Sequence, residues 1–232
     1  MRAVILSGAG RTADPWHPYP ETSAALADIV RAAGFEPEIA DGPLEGLADL
    51  AGGAHLIVVN AGDPDGPMPE GADAPPPSPE LEDRAADALD AALERGVGVL
   101  AVHSAASTLR ELPAFGAALG ARWIDGRSWH PPIGEARVRI VGDHEIADGL
   151  ADFTVFDERY SGMPLSGVIE PIAEHVEDGI RHPLIWAREL APSRLVYSAL
   201  GHDARAYESD EYRELLGRAL AWLAEVPAAT FF

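Results

Sequence analysis

Gly96-Val-Gly-Val-Leu-Ala-Val102, running straight into His103-Ser-Ala-Ala-Ser107, is the stretch on which the fold turns. A short apolar run bounded by glycine and then by small polar residues reads as a buried strand bending sharply at its end. Upstream, Pro79 to Arg95 is strongly helical, and Ala54-His-Leu-Ile-Val-Val-Asn60 and Glu36 to Ala40 read as earlier strands. Glu21 to Ala33 carries Leu26, Ile29, Val30 and Ala33 at helical spacing, with Gly34 as a C-terminal cap. The first strand is Arg2-Ala-Val-Ile-Leu-Ser7, closed by Gly8-Ala-Gly10. Up to Val102 the order is strand, helix, strand, helix, strand, helix, strand. Parallel strands need such crossovers, so the pattern predicts an α/β fold with a doubly wound sheet.

The loop from about Ala61 to Ser78 contains Asp63-Pro-Asp-Gly-Pro-Met-Pro69 and Pro75-Pro-Pro77. It cannot hold a regular element and reads as a lid or an insertion. After Gly120 the texture changes to short strands: Arg137 to Val141, Phe153 to Phe156, Val168 to Val176, Leu184 to Ala187 and Arg194 to Leu200. These are expected to extend the sheet at its edge with antiparallel or irregular pairing, and Asp210 to Ala224 is a closing helix. Neither an internal repeat nor a linker divides the chain, so residues 1–232 read as one domain.

Composition removes several classes of function. The 38 acidic residues outnumber the 17 basic ones, all arginine, for a formal charge of −21. Such a surface repels phosphate backbones and anionic headgroups, which argues against nucleic-acid and membrane partners. Without cysteine there is no disulfide, thiolate metal site or cysteine nucleophile. The first apolar run, Ala3 to Leu6, is too short for a signal peptide, so a soluble cytoplasmic protein is expected.

In open α/β sheets ligands bind beyond the carboxyl ends of the strands, and four places deliver polar residues there. Gly8-Ala-Gly-Arg-Thr-Ala13 half-matches a dinucleotide fingerprint, but Pro15, Pro18 and Pro20 keep a helix from starting where that motif needs one. His17 lies in the same loop. His103-Ser104 sits at the bend after the fourth strand, where small neighbours permit an elbow, though without the glycines of Gly-x-Ser-x-Gly. Ser104 is alternatively a helix cap. His130, before Pro131, and His202-Asp203, after the last strand, each bring an imidazole to the same edge, or serve only as an extended residue and a local turn. Asp157-Glu-Arg-Tyr160 reads first as an exposed strand end, and His144 as a turn residue. His55, His175 and His182 carry no signal. No histidine pair has metal-ligand spacing, so a metal site would have to be assembled in three dimensions.

The succession Asp14-Pro-Trp-His17, Val99-Leu-Ala-Val-His-Ser104, Trp129-His-Pro131, Asp143-His144 with Gly149-Leu150, Asp157-Glu-x-Tyr160, Pro183-Leu-Ile-Trp186, Arg194-Leu-Val-Tyr197 and Leu200-Gly-His-Asp203 resembles the trehalose-utilisation (ThuA-like) family. That family is related to class I glutamine amidotransferases. The resemblance implies a flavodoxin-like, mostly parallel sheet with added C-terminal strands, and a role in disaccharide or keto-sugar catabolism. Where amidotransferases carry the elbow cysteine this chain has His103, so the glutaminase route through a thioester is closed. Two places depart from the pattern: Glu145 stands where the family has proline, and Ala191-Pro-Ser193 replaces a glycine-containing turn.

The resemblance gathers the candidates into one pocket. His103 is the acid or base, with Glu158 or Asp157 to orient or ionise it. His17, Ser104, His130, Tyr160, His202 and Asp203 bind substrate. No cofactor is expected, a divalent metal at His130 and His202 being the alternative to hydroxyl binding. Trp186 lines the pocket or belongs to the core. A non-catalytic module binding a sugar or a partner oxidoreductase is the rival function, and a serine hydrolase using Ser104 a third. The apolar tail, Ala228 to Phe232, would dock on its own chain or on a second copy in a homo-oligomer.

Overall fold

The computed structural model describes residues 1–72 and 74–225, and the tail from Ala228 to Phe232 lies outside them. The chain runs β1 (Arg2–Ser7), α1 (Tyr19–Ala32), β2 (Glu36–Asp41), α2 (Pro43–Leu50), β3 (Leu56–Asn60), α3 (Pro79–Glu94) and β4 (Gly98–Val102). This is the alternation read from the sequence, with α2 as the second crossover. Proline stands in the first turn of α1, α2 and α3, where its fixed φ suits the helix and its missing N–H is not needed. Ser78 caps α3 by accepting the Leu81 N–H at 3.3 Å. A further helix, α4 (Pro113–Leu119), is too short for helical periodicity to show in the sequence. The remaining elements are β5 (Gly134–Ile140), β6 (Phe153–Asp157), β7 (Glu170–Glu177), β8 (Ile180–Leu190), β9 (Ser193–Ser198) and α5 (Asp210–Ala224).

One nine-stranded sheet holds these strands in the order β2-β1-β3-β4-β9-β8-β7-β5-β6. The first five pair in parallel and the rest continue antiparallel. The expectation of a mostly parallel sheet is thereby corrected to a mixed one. The cause lies in the connections: β7–β8 and β8–β9 are joined too tightly for anything but antiparallel neighbours. The hairpin also carries β9 inward, where it pairs in parallel with β4 instead of extending an edge.

β1, β3 and β4 are buried along nearly their whole length, as strands covered on both faces must be. Helix α1 packs with α5, and α2 with α3. A Cβ on Gly98 would lie 2.6 Å from the Leu223 carbonyl oxygen, so α5 approaches β4 closely only because that residue is glycine. Because β1, β3, β4 and β9 are parallel, the loops that follow them emerge along one rim.

The antiparallel half contains a titratable group that couples folding to pH. His175 on β7 is buried and stacks on His182 of β8 with ring centroids 5.1 Å apart. Its Nε2 donates to the Tyr160 carbonyl at 3.1 Å, which leaves Nδ1 buried without a partner. Burial pushes the imidazole down to about 4 from 6.5. Between those values the unfolded chain holds a proton that the folded chain does not. The stability present above pH 6.5 is therefore lost as pH falls toward 4. Urea midpoints measured across that window should fall for the wild type and fall less for His175→Phe; parallel curves would remove the assignment.

Candidate active site

His103 follows β4 directly with φ 48°, a left-handed backbone that is uncommon for a residue with a side chain. Residues His103–Ala106 form a single 3-10 turn at the expected bend. Ser104 does not cap a helix, which corrects that reading: its Oγ lies 3.0 Å from the Tyr19 hydroxyl. His103 Nδ1 donates to the Ala199 carbonyl at 2.7 Å, so Nε2 is the acceptor, and the Tyr160 hydroxyl donates to it at 3.0 Å. Burial pushes this imidazole down to about 4, against the opposing pull of Glu158.

Asp157 and Glu158 are both buried, which corrects the exposed strand end expected of them. Asp157 turns inward because its carboxylate accepts three backbone N–H groups: Gly201 at 2.6 Å, Glu158 at 2.7 Å and His202 at 3.2 Å. Burial pushes this carboxyl up to about 7 against those bonds. Gly201 has φ 118°, and a Cβ there would lie 2.5 Å from the Tyr207 hydroxyl. Asp157 thus holds the 201–202 turn in place and acts through position.

Glu158 stands among three imidazoles. Its Oε2 lies 3.4 Å from His103 Nε2 and 3.4 Å from His202 Nδ1, and its Oε1 lies 3.5 Å from His130 Nδ1. Burial alone would raise this carboxyl, but His103 and His202 hold it well below the usual carboxylate range. Burial likewise lowers His202, yet the Glu158 hydrogen bond and charge outweigh it and leave that imidazole raised.

His17 completes the group from the loop after β1. Its Nδ1 donates to Asp14 at 2.7 Å, and its Nε2 is buried without a partner. The same carboxylate accepts the backbone N–H groups of Trp16 and His17 at 2.9 Å each and lies 2.8 Å from the Tyr19 hydroxyl. Burial would raise Asp14, but His17 and Tyr19 bring it below its ordinary value. The His17 ring centroid is 4.7 Å from that of His202 and 5.0 Å from that of His103. One ligand atom from each of His17, His103, Glu158 and His202 can be chosen so that all four lie within 4.8 Å of one another. Among the described residues this is the one such group able to hold a metal ion.

A cavity of about 700 Å³ opens onto His17, Glu158 and His202, while His103 is buried against them and does not line it. Ser104, His130 and Tyr160 line it, with Trp16 at 61% exposure and Trp123, whose ring sits 4.5 Å from that of Tyr160. Asp203 does not join them. Its carboxylate accepts the Arg205 N–H at 2.9 Å and pairs with that guanidinium, so the substrate-binding expectation is corrected to a local turn. His144 caps a turn by accepting the Ile146 N–H at 3.2 Å, and Trp186 is core, donating to the Leu119 carbonyl. The glycine half-motif forms a 3-10 turn at Gly10–Thr12 and opens no helix. A second cavity of about 610 Å³ lies beside it, where Arg11 is already paired with Asp65. Tyr19 and Trp123 are members of the main site that the sequence reading passed over, and Asp14 entered it only within the Asp14-Pro-Trp-His17 resemblance, with no role assigned.

Fold and site together define an α/β protein with a mixed sheet and a histidine-rich cavity at the carboxyl ends of its parallel strands. The sequence model of the ThuA family, described as trehalose utilisation, matches residues 2–223, and the chain belongs to that family. Among solved structures it resembles a ThuA-like protein from Parabacteroides merdae ATCC 43184 at 18% identity and TM-score 0.75, covering 97% of this chain and 90% of that one. A ThuA-like protein from Bacteroides uniformis ATCC 8492 matches at 16% identity and TM-score 0.69, over 96% and 91%. A cytoplasmic protein from Salmonella typhimurium LT2 matches at 11% identity and TM-score 0.63, over 96% and 99%. At these identities the likeness speaks for the fold alone. No curated protein matches the chain. Among the described residues no helix is long and apolar enough to cross a membrane.

Proposed function

We propose that this ThuA-family chain acts on a disaccharide or keto-sugar by acid–base chemistry in the histidine-rich cavity. The observation that supports it is convergence: distant segments deliver His17, Glu158 and His202 to one hollow with aromatic walls, and the buried His103 lies in contact with all three. A sugar ring stacks on the aromatic faces of Trp16 and Trp123 while its hydroxyls meet imidazole and carboxylate groups. In this reading His103 Nε2, its lone pair fixed by the bond from Nδ1 to Ala199, takes the substrate proton. Glu158 stabilises the imidazolium that forms, and Asp157 holds the 201–202 turn that carries His202 against His103. His130 and His202 bind hydroxyls, with His17, Ser104 and Tyr160 around them.

The strand order β2-β1-β3-β4 supports reading the parallel half as a flavodoxin-like, amidotransferase-like scaffold. With His103 at the elbow, that scaffold has no glutaminase nucleophile. A small sugar is the expected partner, the acidic surface disfavours nucleic acid, and a cytoplasmic setting matches the Salmonella neighbour's description.

The test is to incubate the protein with a panel of α- and β-linked disaccharides and their keto forms, following products by NMR and binding by thermal shift. Turnover of at least one member is expected. Stabilisation without product would replace the enzyme with a sugar-binding module. Neither binding nor turnover across the panel would overturn the sugar reading.

A further inference from the structure

Three ligand atoms at the inner wall of the cavity form a nearly equilateral triangle. His103 Nε2 and His202 Nδ1 are 3.3 Å apart, and each is 3.4 Å from Glu158 Oε2. Two imidazole nitrogens facing each other at that distance can share only one hydrogen. A tetrahedral ion with bonds of about 2.0–2.1 Å keeps its ligand atoms about 3.3–3.4 Å apart, because the edge of a tetrahedron is roughly 1.63 times the bond. The triangle therefore matches one face of a tetrahedral metal site.

We infer that His103, His202 and Glu158 form a binding face for a Zn²⁺-type divalent cation, with His17 Nε2 within reach as a fourth ligand. Three further observations agree with it. His17 Nε2 is buried without a partner beside the triangle. The two imidazoles whose Nε2 would bind are oriented by hydrogen bonds from their other nitrogens, His103 to the Ala199 carbonyl and His17 to the Asp14 carboxylate, as metal-bound histidines usually are. The donor set is imidazole and carboxylate without sulfur, which suits zinc and its first-row neighbours. Asp125 also lines the cavity and favours a cation entering it, whereas Asp63 there is already paired with Arg110. The Tyr160 hydroxyl, which donates to His103 Nε2 at 3.0 Å, gives up that lone pair to the ion.

The inference does not rest on the sugar reading, and the two compete for one lone pair. His103 Nε2 serves as a base or as a ligand but not as both at once, so a bound ion would take His103 and His202 out of acid–base work. The experiment is done without sugar: the full chain is stripped with a chelator, dialysed and titrated with Co²⁺, with Zn²⁺ as competitor. One Co²⁺ per chain is expected, with the visible absorption of a four-coordinate ion and displacement by Zn²⁺. His202→Ala and Glu158→Gln, shown folded by circular dichroism, should weaken binding more than about 100-fold, since even a supporting residue is worth about 10–100-fold. Asp14→Asn should cost about 10–100-fold by loosening His17, and His55→Ala, an exposed histidine outside the cavity, should leave the affinity within a few-fold. No saturable Co²⁺ binding to the wild type, or equal binding by folded His202→Ala, would overturn the site. Turnover of a sugar without metal leaves the proposed function standing alone, and Co²⁺ binding without turnover leaves this inference standing alone.

Discussion

Replacing His103 by asparagine should lower kcat/KM on the sugar substrate by roughly 100- to 10,000-fold, the span that a positioned acid or base contributes. Asparagine is the informative choice because the backbone there has φ 48°. It tolerates the left-handed region better than other residues with a side chain, so the bend after β4 survives while the imidazole is lost. Alanine would add backbone strain to the chemical loss and confuse the two. Far-UV dichroism and a urea midpoint close to wild type would show that the fold is kept. Unchanged turnover in a folded His103→Asn protein would remove the role assigned to this residue.

The second large effect is on stability. Asp157→Ala takes the acceptor from the Gly201, Glu158 and His202 N–H groups together. A buried donor left unpaired costs about 1–3 kcal/mol, so the variant should lose roughly 3 kcal/mol or more in urea unfolding. That is a large fraction of the 5–15 kcal/mol on which a typical domain survives. Asp157→Asn should lose less, because the amide oxygen still accepts from the 201–202 turn. His202 rides on that turn, so the alanine variant should also weaken sugar binding. A midpoint shift no greater than that of the exposed Asp83→Ala would show that Asp157 does not hold the turn.

The parallel half of the fold was legible because its strands are short apolar runs punctuated by glycine and its helices begin at proline. The position of β9 was not. Strand pairing between Val99–Val102 and Leu195–Ser198 joins residues nearly a hundred apart, and no local pattern encodes it. β8 runs from Ile180 to Leu190, well beyond the Leu184 to Ala187 marked by its apolar residues, because its ends pair through polar positions such as Arg181 and Glu189.

The site divides in the same way. His103, His130 and His202 stand out because each follows a strand or a turn signal. Asp157 and Glu158 look like a solvated strand end in so acidic a chain, and two of the three N–H groups that draw the first of them inward come from a loop more than forty residues later. Asp14 was quoted only as part of Asp14-Pro-Trp-His17, because nothing local shows that one carboxylate both closes the turn at Trp16 and orients His17.

Whether these residues form one sugar-binding hollow is open to a direct spectroscopic test. Long-range ¹H–¹⁵N spectra of the imidazoles, recorded while the disaccharide panel is titrated in, report every histidine at once. His17, His103, His130 and His202 should move together with a single dissociation constant, while His55, His144, His175 and His182 stay still. Sugar-dependent shifts confined to the second group, or no shift in either group for any sugar, would contradict the account.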